Sequence, residues 1–164
     1  DTAAESLRGR AIFAIGHLEG DRGGGAAFLR ALYPRLTTAR LRDGVVQAVA
    51  QSDDPADRRW LLDLAADAAQ PLEARKRALF WAGQQQRGRG VDDLLAIDAR
   101  LTGAELRRHY AFVLSQRSED AAVDRLIAMA RGDADRAVRR QAIFWLGQSR
   151  NPRARAYLEA VVAQ

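Results

Sequence analysis

An all-α chain of stacked helical hairpins is the fold that the sequence predicts, and two observations carry the prediction. A twelve-residue string recurs five times at a nearly fixed spacing. Nowhere does the chain sustain the two-residue alternation of a half-buried strand. The strings begin at Leu7, Leu41, Ala74, Leu106 and Val138, with spacings of 34, 33, 32 and 32 residues. A period of this size signals an array in which each unit buries its apolar faces against the next. The most alike pair reads ARKRALFWAGQQ from Ala74 and VRRQAIFWLGQS from Val138.

Three columns of the strings carry the match. The second residue is always arginine: Arg8, Arg42, Arg75, Arg107 and Arg139. The tenth is small: Gly16, Ala50, Gly83, Ser115 and Gly147. The eleventh is His17, then Gln51, Gln84, Gln116 and Gln148.

Each string reads as the first helix of a hairpin. In the last one, Val138, Ala142, Trp145 and Leu146 share one face of a 3.6-residue period. Ile143 and Phe144 widen that face, which predicts a helix buried between neighbours. The small tenth residue lets the chain leave the helix.

Breaker-rich turns and a second helix follow each string. GDRGGG at 20–25 leads to a stripe of Phe28, Leu29, Leu32 and Leu36. SDDP leads to Trp60, Leu61 and Leu64, with Asp54 as an N-cap before Pro55. QRGRG leads to Leu94 and Leu95, and RSED to Val123, Leu126 and Ile127. RNP, with Asn151 capping a helix that opens on Pro152, leads to Tyr157, Leu158, Val161 and Val162. The prediction is one domain over 1–164, with repeats at about 5–40, 41–72, 73–104, 105–136 and 137–164.

The arginine near the start of the first helix, the apolar-alanine block and the glycine before the turn resemble HEAT repeats. The likeness is to the short bacterial type also found in phycobilisome-lyase-like proteins. It is fullest over 74–164 and looser over 1–73, where Gln47 and Ala48 replace the aromatic residues. FWLGQS and FVLSQR also resemble the C-terminal part of exported bacterial HEAT-repeat proteins of unassigned role. The resemblance implies an α-solenoid with an extended concave surface lined by the second helices. It identifies a scaffold and leaves the activity to sites grafted on it.

Composition narrows the function classes. Apolar residues at 48% and charged residues at 29% suit a folded chain rather than a disordered one. No apolar run approaches the roughly 18 residues of a membrane span, so no membrane insertion is expected. The chain lacks cysteine, which excludes disulfides, thiolate metal sites and cysteine nucleophiles. It opens on Asp1 rather than Met, as a processed product or an excised fragment does, which leaves room for a removed export signal. Export to the periplasm is favoured over the cytoplasm by resemblance alone.

The net charge of +5 invites a nucleic-acid reading. The charge is uneven, however. Residues 41–72 hold three basic and six acidic side chains, and residues 138–164 hold five basic and one acidic. Lys76 is the only lysine, so the arginines also reflect a bias of base composition.

Candidate sites follow from these patterns. Arg8, Arg42, Arg75, Arg107 and Arg139 form either a basic ladder or a structural tie to an acid or turn carbonyl of the neighbouring repeat. The tie is expected, because side chains that recur with the period serve the stack. Gln51, Gln84, Gln116 and Gln148 are expected to bond the orphan carbonyls where the first helices end, with a ridge of polar contacts for a partner as the alternative. His17 and His109 sit in no metal motif, and GDRGGG lacks the Gly-Lys-Ser/Thr ending of a phosphate loop. No catalytic residue, metal ligand or cofactor is expected.

The expected function is therefore a non-catalytic scaffold for a protein partner, bound on the second-helix face through Arg59, Asp63, Asp98, Arg125 and Arg155. Nucleic-acid binding through an arginine-rich face is one alternative. A subunit of a bilin-lyase-like chromophore-attachment enzyme is the other. The mildly apolar last helix predicts weak homo-association or continuation into a longer chain.

Overall fold

The computed structural model describes residues 2–18, 24–84 and 90–163, and every regular element among them is helical. Among the described residues ten α-helices follow in order: α1 (Thr2–Gly16), α2 (Gly24–Leu32), α3 (Ala39–Val49), α4 (Pro55–Ala66), α5 (Leu72–Gln84), α6 (Val91–Ala96), α7 (Ala104–Ser115), α8 (Asp120–Gly132), α9 (Arg136–Gln148) and α10 (Pro152–Val162). Each recurring string lies on an odd-numbered helix, and an even-numbered helix follows it. The chain is all-α, with the alternation of helices that an α-solenoid requires.

Helix starts obey the cap chemistry of the sequence. Asp54 Oδ1 accepts from the Ala56 amide at 2.8 Å, and Pro55 opens α4. Asn151 Oδ1 accepts from the Arg153 amide at 2.9 Å, and Pro152 opens α10. Asp135 accepts from the amides of Ala137 and Val138 at the head of α9. Each such cap is worth about 1 kcal/mol. Gly90 and Gly103, just before α6 and α7, hold φ of 82° and 89°, which glycine adopts without a Cβ clash.

Two compact units make up the chain, 1–85 and 86–164, so the division falls inside the third expected repeat. In the first unit α1 packs on α2 and α3, α3 on α5, and α4 on α5. Its core includes Leu29, Val45, Val46, Leu61 and Leu79, all fully buried. In the second unit α7 packs on α8 and α9, and α8 on α6, α9 and α10. Leu94, Leu106, Tyr110, Leu114, Leu126, Met129 and Leu146 form its core.

Four local expectations need correction. Ile143 and Phe144 do not bury α9 on all sides, since they are 40% and 53% exposed. A helix packed against α7 on one side and α8 and α10 on another keeps a free outer face. The 20–25 glycine segment is not a turn throughout: Gly24 and Gly25 already belong to α2, while 20–23 lie outside the described residues. The second helices of the first and third hairpins are short and close as 3-10 turns, Tyr33–Arg35 and Asp98–Arg100. On α10, Val161 and Val162 are exposed rather than seated on the preceding helix.

Candidate functional site

The arginine column is the most regular polar feature, and four of its members point at backbone carbonyls just upstream of their own helix. Arg42 Nε donates to the Leu36 carbonyl at 2.9 Å. Arg75, buried, donates through Nε to the Ala65 carbonyl at 3.0 Å. Arg107 reaches the carbonyls of Asp98 at 3.2 Å and Leu101 at 3.4 Å. Arg139 donates to the carbonyls of Asp133 at 2.5 Å and Ala134 at 3.2 Å. In every case the acceptors close the preceding second helix or its 3-10 turn. A helix leaves its last carbonyls unpaired and carries partial negative charge there, so a guanidinium fork fits the place. Arg8 is exposed instead and borders a hollow with Ile12, Phe28 and Arg35.

In the second unit this tie grows into a charge chain. Arg125 donates to Asp98 Oδ2 at 2.5 Å, and Asp98 Oδ1 lies 3.4 Å from Arg107. Arg107 in turn binds the buried carboxylate of Asp133. Two cations thus alternate with two anions. Burial works against the charge on Arg107, but the Asp133 hydrogen bond and the Asp98 charge outweigh it and leave the guanidinium above its ordinary value. Beside the chain lies a cleft of about 460 Å3, bounded by Gly103, Arg107, Arg125, Met129 and Asp133.

The five residues expected on the partner-facing surface fall into two groups. Arg59 and Asp63 are exposed one turn apart on α4, and Arg155 is exposed on α10, where it binds Glu159 at 2.7 Å. Asp98 and Arg125 are instead half-buried and bound to each other. Asp98 stands in the 3-10 turn after α6, which folds it back onto α7 and α8. Asp133 escaped the sequence reading. Its position six residues before Arg139, at the end of a second helix, is the signal that would have found it.

In the eleventh column the side chains of Gln51, Gln116 and Gln148 lie away from the turn carbonyls. Gln51, Gln116 and Gln148 are exposed, and Gln116 donates to the Ser115 hydroxyl at 3.2 Å. Backbone amides already satisfy those carbonyls: Gln51 N bonds Ala48 O, Gln116 N bonds Val113 O, and Ser149 N bonds Leu146 O. Gln84, at the end of α5, is half-buried. His17, the odd member, stacks on Phe13 with ring centroids 4.1 Å apart. Sequence reasoning also missed the exposure of the seventh string position, where Phe13 and Phe144 face outward.

Among the described residues no group of three or more His, Asp or Glu side chains is arranged to hold a metal ion. Nor is any helix among them long and apolar enough to cross a membrane.

Comparison with known proteins adds one positive result. Residues 91–164 match the family model for HEAT repeats. No curated protein matches the chain, and no solved structure does. Repeats of this kind generally serve as protein-interaction scaffolds and are typically non-enzymatic. The matched segment contains α6 to α10 and the whole Asp98–Arg125–Arg107–Asp133 chain. Residues 91–164 of this chain belong to the HEAT-repeat family.

Proposed function

We propose that residues 1–164 act as a non-catalytic protein-interaction scaffold whose partner lies on the second helices. Arg59 and Asp63 on α4 and Arg155 on α10 are its exposed contacts. Within the second unit the Asp98–Arg125 ion pair fixes the turn after α6 against α8. One observation carries this reading: the arginines that recur with the period turn toward backbone carbonyls. What the second helices offer outward is then mixed in sign. Arg153 beside Asp120 and Asp124, and Arg155 beside Glu159, are examples. Mixed charge suits a folded protein surface better than a polyanion. The nucleic-acid alternative asks for an exposed stripe of column arginines, and Arg8 alone in that column is exposed.

Affinity capture from the organism of origin, followed by reconstitution with the purified partner, tests the reading. Arg59→Glu and Asp63→Arg are expected to weaken the binary complex while leaving the helical spectrum unchanged. A partner indifferent to every charge reversal on the second helices removes this face as the interface. Capture that vanishes on nuclease treatment favours the nucleic-acid alternative.

A further inference from the structure

In the first unit the outward side of α1 and α3 breaks the pattern of the other repeats. The third, fourth and seventh string positions carry Lys76, Arg77 and Phe80 on α5, and Arg140, Gln141 and Phe144 on α9. On α1 and α3 a glycine takes one of the first two places, as Gly9 and Gly44, and Gln47 stands where the others have a ring. The missing bulk leaves a groove of about 560 Å3 between the two helices. A Cβ at Gly9 meets nothing within 4 Å, and one at Gly44 meets only the Ile12 methyl at 3.7 Å. The volume falls in the range of roughly 300–1,000 Å3 that proteins use for ligands.

The groove is cationic. Arg10 and Arg40 line it, both are exposed, and no carboxylate is among its lining residues. Neither arginine forms an ion pair among the described residues. One wall is the Phe13–His17 stack. His17 Nδ1 lies 2.8 Å from the Phe13 carbonyl, which only accepts, so Nδ1 carries the hydrogen and Nε2 is the ring atom left for a ligand. The other wall presents two exposed amides, Gln47 on α3 and Gln51 in the turn that follows it, each with a donor and an acceptor.

We propose that this groove takes a short, extended acidic segment of a protein partner. Its carboxylates meet Arg10 and Arg40, its backbone meets the Gln47 and Gln51 amides, and an apolar side chain lies on the Phe13–His17 face. The assignment rests on the protein-binding reading for the class of ligand and uses a different surface from the second-helix face. A short segment fits better than a nucleic acid. Beyond Gly44 and Gln47 the surface continues to Asp43, ion-paired with Arg77, and that carboxylate interrupts the basic track a row of phosphates requires.

Fluorescence anisotropy of the whole chain tests it, with a short fluorescein-labelled peptide of glutamate and aspartate around one leucine as probe. Saturable binding is expected. Arg10→Glu and Arg40→Glu should each weaken it by about tenfold or more. Gly9→Gln should abolish it by filling the groove, with circular dichroism verifying each fold. Arg140→Glu, on α9 of the second unit, should leave it unchanged. No binding by the unaltered chain, equal binding of a lysine-rich peptide, or affinity indifferent to the groove variants overturns the proposal. So does displacement of the peptide by a single-stranded oligonucleotide at lower concentration. Peptide binding that survives while no partner responds to the α4 charge reversals sinks the second-helix reading and leaves the groove standing.

Discussion

Arg107 and Asp133 form a two-contact ion pair: Nε and Nη2 of the guanidinium lie 2.8 and 2.6 Å from the same carboxylate oxygen. The arginine lies in the first turns of α7 and the acid closes α8, so the pair ties these two helices, while Asp98, in the 3-10 turn before α7, pairs with both Arg107 and Arg125 of α8. Arg107→Ala removes the donor to the buried Asp133 Oδ2 and the guanidinium bonds to the Asp98 and Leu101 carbonyls, while Asp133 Oδ1 keeps the Asp135 amide and the Asp98 carbonyl keeps the Leu101 amide. A fully buried pair broken this way costs about 3–5 kcal/mol. Arg107 keeps one-fifth of its side chain in water, so a loss of about 2–3 kcal/mol is expected. Urea denaturation measures it, and Arg107→Lys should restore only part because lysine lacks the fork. An unchanged midpoint together with lost polyanion binding would transfer the column from structure to function.

Alkaline pH should loosen the second unit through Tyr110. Its hydroxyl donates to the Leu94 carbonyl at 3.0 Å inside the core. Burial raises its pKa strongly, the Asp98 charge adds to the rise, and Arg125 and Arg107 oppose it. The ordinary tyrosine value is about 10. Below that value both folded and unfolded chains hold the proton and the contribution is complete. As pH rises beyond it, the unfolded chain releases the proton first, so stability falls with pH until the folded value is passed. Tyr33 shifts in the same direction, so the variant removes part of the slope and not all. Tyr110→Phe should cost about 1 kcal/mol at neutral pH and flatten the decline above pH ~10. Identical alkaline slopes for the two proteins would count against this account.

The small-residue column contains two glycines with opposite expected responses. At Gly16 an added Cβ would stand 2.7 Å from Ala48 Cβ and 3.2 Å from its Cα, so α1 and α3 meet too closely for any side chain. At Gly147 an added Cβ meets nothing within 4 Å. Alanine in a helix gains about 1 kcal/mol over glycine. Gly147→Ala should therefore stabilise by up to that amount. Gly16→Ala should destabilise by about 1–3 kcal/mol as overpacking outweighs propensity. Thermal melts that move in the same direction would refute the distinction.

The first helices were legible because their signal is local and repeated. All five strings begin two to five residues inside the helix that carries them, and capping side chains at Asp54 and Asn151 act as their residue types suggest. Exposure was less legible. Ile143 and Phe144 look like core residues by type, yet whether an apolar residue is covered depends on the neighbouring helix rather than on its own string. Asp98 shows the same limit from the polar side. Its sequence context suggests a solvated second helix, and a 3-10 turn folds it onto Arg107 and Arg125 instead. The groove at Gly9 and Gly44 was hidden for a different reason. A repeat is recognised by what it keeps, whereas this feature consists of what two repeats leave out.

Residues 1–60 should exchange amide hydrogens faster than residues 100–150. Stability in a repeat array follows each unit and its nearest contacts, and local opening is easiest where few apolar groups are buried. Ile12 is the one buried side chain recorded along the fifteen residues of α1. α7, three residues shorter, buries Leu106, Tyr110, Ala111, Val113 and Leu114. α3 is better buried than α1, so protection should rise from α1 to α3. Native-state exchange followed by mass spectrometry resolves this gradient. Equal protection across α1 and α7 would mean that the two units open together, and that the packing of a first helix does not set its local stability.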